Sequence, residues 1–230
     1  VTALAAERVR PAELSRGERE AMLALMRASY DGVDAAEFEA DLRDKDLVLL
    51  LRAPDGALAG FSTAKLLRHD FEGRPLRVVF SGDTVMARER RGSRTLARAF
   101  ARLLRDLLEE EPGTPLHWLL ISKGERTYRY LPAYFRDFSP RHDRPTPAAR
   151  ARLMGELGGR LFPGRHDRAR GIVTARPGGQ RLRAAELPAR ESADPHRAFF
   201  ARANPGHRGG DELLCLAEFS RENVHEPVLR

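Results

Sequence analysis

"VVFSGDTVMARERRGSRTL", residues 78–96, decides how the rest of the chain is read. An apolar run, interrupted at Gly82-Asp83, gives way to a basic stretch, and that stretch opens a long amphipathic segment. Two readings stand open. The arginines either border an anion-binding turn at a helix N-terminus or are only the solvated start of that helix.

The flanks favour a strand before the turn and a helix after it. Leu96, Phe100, Leu103, Leu104 and Leu107 fall on one face at helical spacing, which predicts a helix over 95–111 that Pro112-Gly113 stops. Upstream, "DLVLLLRAPDGALAGFSTAKLL" holds two apolar runs joined by Pro54-Asp55-Gly56, and Glu72-Gly73-Arg74 turns into a third, so three antiparallel strands are expected. A short strand over 6–10 opens the chain. A helix with Met22, Leu25 and Met26 on one face follows, and then a second, shorter helix with Asp34 as its N-cap.

Downstream, "PLHWLLIS" reads as a buried strand and "ERTYRYLPAYFRDF" as a helix that Pro132 kinks or restarts. The later half is less regular. Helices are expected over "TPAARARLMGELGGRLF" and "DPHRAFFARA", short extended pieces near Ile172-Val173 and Leu182, and a final strand over "DELLCLAEF". The whole is read as one domain with an insertion at about 141–187.

Composition narrows the functional classes. Of the 230 residues, 42% are apolar and 32% charged, a balance that supports a folded core rather than disorder. The longest apolar run, at 47–51, is too short to cross a bilayer, and the N-terminus does not read as a signal peptide, so a cytoplasmic protein without a membrane span is expected. The single cysteine, Cys215, lies in an apolar strand and is read as a buried structural thiol. The net charge of +7 invites a nucleic-acid reading, but 37 of the 40 basic residues are arginines spread along the whole chain, which argues against a binding stripe. There is no HExxH, no GxSxG and no P-loop, and no metal is expected. His142-Asp143 is read as solvated and His117 as a strand-surface residue.

The order of strand, two helices, three antiparallel strands, long helix, strand and helix resembles the GNAT superfamily of acyl-CoA-dependent N-acyltransferases. The resemblance spans about 6–138 and resumes at 211–219. It implies an α/β fold with a mixed, mainly antiparallel central sheet flanked by helices. In that family the fourth strand runs into a turn of pattern Arg/Gln-x-x-Gly-x-Gly/Ala. Backbone N–H groups at the following helix N-terminus hold a pyrophosphate there, and glycine lets the backbone approach. Here Arg91 matches the opening position, whereas the two small positions are Arg94 and Leu96.

The resemblance implies transfer of an acetyl or longer acyl group from acetyl-CoA or acyl-CoA to an amine on a small molecule or peptide. Val85, Met86 and Ala87 would supply main-chain contacts to the donor arm, and Arg91, Gly92, Ser93, Arg94 and Thr95 would bind its phosphate. Asp83 is the candidate general base, since a carboxylate in an apolar run must be paired, solvated or shifted in pKa, and Gly82 beside it marks a bulge. Tyr134 in "AYFRDF" is the candidate general acid, with Tyr128 and Tyr130 as rivals. The departures at Arg94 and Leu96 leave three outcomes open: a loop that still binds the CoA pyrophosphate through Arg91, Ser93 and backbone amides, with the Arg94 side chain turned outward or onto a phosphate; a donor on an acyl-carrier protein, as in bacterial N-acyl amino acid synthases; or a non-catalytic binding module. A homodimer is also compatible with the family.

Overall fold

The computed structural model describes residues 4–186 and 193–225. Strand β1 (Ala5–Val9) is followed by helix α1 (Arg16–Ser29), whose first turn is closed by a capping box: Ser15 Oγ accepts from the Glu18 N–H while the Glu18 carboxylate accepts from the Ser15 N–H. Met22 and Met26 turn fully inward and Leu25 packs beside them. The two-residue strand β2 (Tyr30–Asp31) leads to α2 (Ala35–Arg43), where the Asp34 carboxylate accepts from the Glu37 N–H at 2.8 Å, the cap its position predicts.

Strands β3 (Leu47–Arg52), β4 (Leu58–Phe71) and β5 (Arg74–Met86) form the expected antiparallel meander. At the β4–β5 turn Glu72 and Gly73 both take positive φ, 54° and 75°, the combination whose twist matches the flanking strands. Helix α3 (Thr95–Glu110) buries the five predicted apolar residues, and β6 (Leu116–Ser122) returns parallel to β5.

The segment "ERTYRYLPAYFRDF", read as a helix that Pro132 kinks or restarts, does break, but ahead of Pro132, and its helix ends short of Phe138. It forms two short helices, α4 (Glu125–Tyr128) and α5 (Tyr130–Tyr134), and then leaves helical geometry so that Phe135 can bridge to Val224. Pro132 sits in the first turn of α5, where its missing N–H has no intrahelical partner to lose. Helix α6 (Ala148–Leu161), strands β7 (His166–Asp167), β8 (Ile172–Val173) and β9 (Arg181–Leu182), helix α7 (Pro195–Ala203) and strand β10 (Glu212–Glu218) complete the described chain.

The eight-stranded sheet runs β1-β3-β4-β5-β6-β10-β8-β7, and β5–β6 is its parallel pair. Alternation divides its side chains between two layers. Trp118, Leu120 and Cys215 face α3 and α7, whereas Leu119, Leu214 and Leu216 face α6. α1 and α2 pack on Val48, Leu50, Phe61 and Val85. The fold is therefore the mixed, mainly antiparallel sheet with flanking helices that the sequence implies. Within the expected insertion, α6 covers one face and β7 and β8 extend the sheet past β10. Its end at Leu187 lies outside the described residues.

Candidate active site

The site begins with an irregularity in β5. Ser62 pairs with Thr84 and Ala64 with Ser81, so Gly82 and Asp83 together oppose Thr63 alone. This is a β-bulge, and it turns Asp83 out of the ladder. A Cβ on Gly82 would stand 2.6 Å from Thr63 Oγ1 and 2.7 Å from Lys45 Cε, so glycine is what the crowding permits. On the opposite edge, pairing with β6 runs from Arg77↔Leu116 to Ser81↔Leu120 and stops, while β5 continues to Met86. The two parallel strands part at the bulge. Trp118 Nε1 donates to Oγ of Ser81, the β5 residue on the last shared rung, at 2.9 Å.

Main-chain groups beyond the bulge are divided by the alternation of antiparallel pairing. Ala87 donates to the Ala59 carbonyl at 2.9 Å and its own carbonyl accepts from Arg90, so neither group is turned to the gap. Val85, two residues earlier, faces Phe61 in the same sense and its side chain lies in the core. Thr84 and Met86 hold the intervening positions and present their N–H and C=O groups to the gap. Of the three residues expected to contact the donor arm, Met86 therefore has the required orientation. Thr84 joins it.

A cleft of about 1350 Å³ opens where the strands part, and Asp83, Met86, Arg91, Gly92, Ser93 and Tyr134 line it together. Of the three states open to a carboxylate in an apolar run, pairing is not the one adopted, since the Asp83 carboxylate makes no hydrogen bond or ion pair with any described residue. Burial, reinforced by the Asp41 and Glu212 carboxylates, raises its pKa to about 6, and Lys123 and Lys45 oppose the shift. Lys45 is itself buried and donates to Asp41 Oδ1 at 2.6 Å, and Lys123 stands 3.2 Å from Glu212. Tyr30 lies among these charges. Burial first, then Asp83, Glu212 and Glu186, holds its phenol protonated, with Arg91 opposing.

The turn from β5 into α3 is built as an open N-terminus. Gly92 takes φ 91° in the left-handed region, and nothing lies within 4 Å of where its Cβ would be. Ser93 Oγ accepts from the Thr95 N–H at 3.2 Å, and Arg94 contributes no side-chain cap. The Leu96 side chain points into the core, so its size does not narrow the turn. Arg94 and Thr95 do not line the cleft, unlike Arg91, Gly92 and Ser93. The Arg91 guanidinium lies 2.6 Å from the buried Glu186 carboxylate, which also meets Arg88 at 3.2 Å and Arg126 at 3.4 Å.

Tyr134 ends α5 stacked on Tyr130, with ring centres 5.7 Å apart. Burial, and secondarily Tyr130, pushes its pKa up to about 12 against the influence of Arg94, so it carries its proton at neutral pH. Its rival Tyr128 is fully buried and donates to the Pro140 carbonyl at 2.9 Å, a structural role, whereas Tyr130 shares the cleft. His117 lies partly exposed on a face of β6. Its Nδ1 is buried without a partner among the described residues, and burial, helped by Arg150, lowers its pKa to about 4. His142 packs on His196 with ring centres 4.4 Å apart, while Asp143 pairs with Arg141.

Sequence reasoning missed Tyr30, Lys45, Lys123, Glu186 and Glu212. One signal was available for two of them. The chain has three lysines against 37 arginines, and Lys45 and Lys123 both line the cleft. Among the described residues no group of three or more His, Cys, Asp and Glu side chains could hold a metal ion, and no helix is long and apolar enough to cross a membrane.

No protein-family model matches the chain, and no curated protein matches it by sequence. Among solved structures it is similar to a GNAT family N-acetyltransferase from Escherichia coli in complex with CoA, at 20% identity over 57% of this chain and 69% of that one, with a TM-score of 0.41. A conserved protein of unknown function from Enterococcus faecalis, designated a "Probable N-Acyltransferase", is 13% identical over 96% of this chain and 66% of its own, with a TM-score of 0.46. Glucosamine-6-phosphate N-acetyltransferase from Arabidopsis thaliana is 14% identical over 56% and 88%, with a TM-score of 0.40.

Proposed function

We propose that the chain is an N-acyltransferase of GNAT type, moving an acyl group from a CoA thioester to an amine. The observation that carries this reading is the parting of β5 and β6 at the bulge, with a base at its inner end and an open helix N-terminus at its outer end. A donor arm would lie in that gap. Met86 and Thr84 would hold it by main-chain hydrogen bonds, and Ser93 with the first N–H groups of α3 would meet its phosphates. The thioester supplies an acyl carbon activated towards amines.

The chain's own groups then have simple tasks. Asp83, ionised above about pH 6, takes the proton that the attacking amine must lose. A main-chain N–H beyond the bulge polarises the acyl carbonyl. As the new C–N bond forms and the C–S bond breaks, Tyr134 gives its proton to the departing sulfur. A thiolate leaves readily without full protonation, so Tyr134→Phe is expected to lower kcat by only about tenfold, below the roughly 10²–10⁴-fold usual for general acid–base effects. Steady-state rates at pH 7 check this, and an unchanged kcat would remove Tyr134 from the mechanism.

The direct test of the donor is thermal. At about 100 times Kd, acetyl-CoA or a longer acyl-CoA should stabilise the fold by about 2.7 kcal/mol, a Tm rise of about 5–10 °C for a chain of this size. A second reading, in which a carrier protein's phosphopantetheine arm is the donor, is favoured by the pairing of Arg91 with Glu186, which engages a cation otherwise available to the nucleotide portion of CoA. It expects no shift with CoA and acyl transfer from an acylated carrier protein. Silence from both donors would leave the fold without this activity.

A further inference from the structure

Residues 175–186 form a strap that crosses the cleft from one rim to the other. It leaves the sheet beside β10, where the Ala175 N–H donates to Asp211 Oδ1 at 2.9 Å and the Gln180 carbonyl packs against Gly210. It then pairs with the rim formed by the end of α1. Leu182 opposes Tyr30, Arg181 opposes Asp31, and the Arg183 N–H donates to the Ser29 carbonyl at 3.1 Å. Arg176 pairs with Glu37 of α2, and Arg183 lies 3.3 Å from Asp31. Gly32 admits the strap's backbone so closely that a Cβ there would meet the Gly179 carbonyl at 2.6 Å.

The far end is fixed to the opposite rim. Leu182 Cδ1 lies 2.9 Å from where a Cβ on Gly124, the N-cap of α4, would stand, and Glu186 closes on Arg91, Arg88 and Arg126. Both rims and the strap between them line the one cleft that holds Asp83. A lysine within a folded protein carries main chain on both sides of its reacting side chain and an N-terminus carries it on one, so either acceptor needs room for polypeptide along such a cleft. The strap occupies that path.

We infer that the strap roofs the acceptor side of the cleft and limits the acceptor to a small-molecule amine, excluding lysines and N-termini held in a folded protein. This inference rests on the acyltransferase reading for the word acceptor, and on geometry alone for the roof. A small amine needs only the space beside Asp83, Tyr30, Lys45 and Lys123. The many polar contacts to the strap, most of them between exposed groups, favour a roof that opens locally rather than a permanent wall.

Access can be measured without any acyl donor. Cys215 is fully buried and serves as an unreactive background thiol, so Asp83→Cys places the one accessible thiol under the roof. Its labelling rate is compared for N-ethylmaleimide and for a maleimide joined by a short arm to a small folded protein such as lysozyme. After correction with an exposed cysteine elsewhere, the small reagent should react at least about 100-fold faster, since the bulky one needs local opening of the roof. Removing the anchors with Asp31→Ala and Glu186→Ala should cut that ratio by about tenfold, and Leu182→Asn gives a second opened form with the ion pairs kept. Thr84→Cys repeats the measurement at a neighbouring position. Equal rates for the two reagents would overturn the roof, whatever the donor proves to be. With a working donor, free amino acids, polyamines and amino sugars are compared with a lysine-bearing folded protein. A protein acceptor within about tenfold in kcat/KM of the best small amine would overturn the substrate class.

Discussion

Asp83→Asn is expected to abolish most of the proposed acyl transfer and, at the same time, to make the protein more stable above pH 6. The loss in rate should be about 10²–10⁴-fold, the usual worth of a positioned base. The gain in stability follows from where the carboxylate sits. Burial and the neighbouring Asp41 and Glu212 raise its folded pKa from 3.8 to about 6. A carboxyl whose folded pKa is raised binds its proton more tightly in the native state. Its favourable contribution is complete below pH 4 and is lost as pH rises through 6.

At pH 8 the native protein therefore carries a charge that its surroundings disfavour, at a cost on the order of 2 kcal/mol. Asparagine removes the charge while keeping the shape. Tm at pH 8 should rise by about 4–8 °C, and at pH 4 it should hardly move. Scanning calorimetry at the two pH values, beside rates at pH 8, checks both halves. The wild-type rate should also rise through pH 6 as Asp83 ionises. A variant that is both inactive and less stable at pH 8 would mean that Asp83 is a structural carboxylate, and an active variant would mean that it is not the base.

The parts of this protein that were legible in its sequence are those set by local chemistry. The five apolar residues of α3 fall at helical spacing, Asp34 and its helix are adjacent, and Asp55-Gly56 needs no distant partner to turn. Asp83 was legible for a related reason, because an acid beside glycine inside an apolar strand has few unremarkable explanations. The rest depends on contacts across long stretches of chain. β2 and β9 have two residues each, too few for any period; an extended piece was legible near Leu182, but its pairing with β2 over about 150 positions was not. Glu186 was invisible because its meaning comes from three arginines that are 60 or more residues away. Leu96 misled because the family comparison treats its position as facing the donor, whereas its side chain is part of the core.

Gly82→Val should show how far the fold and the site depend on one residue. Even a Cβ there meets Thr63 Oγ1 at 2.6 Å and Lys45 Cε at 2.7 Å. Neither neighbour is free to move away. Thr63 is buried inside β4, and Lys45 is buried and bonded to Asp41. The strain must then fall on the bulge, which can relax by turning Asp83 or by shifting the rungs at Ser62 and Ala64. A slip of one residue would exchange the faces of the strand beyond it, moving Val85 out of the core. Rotation of Asp83 is therefore the cheaper response. It should cost about 1–3 kcal/mol of stability and about 100-fold in kcat/KM, because a base displaced by about 1 Å loses its geometry with the amine. The phosphate contacts proposed at Gly92 and Ser93 should change little, since they lie beyond the strand end, whereas Thr84 adjoins the bulge and its contact to the donor arm should weaken. The paired variant Gly82→Ala with Thr63→Ala offers the sharper measurement. Removing Oγ1 relieves one of the two clashes and leaves that with Lys45, so the double variant should recover part of the activity lost in Gly82→Ala, as a positive coupling in a double-mutant cycle. Full activity in Gly82→Val would show that the bulge does not aim the base.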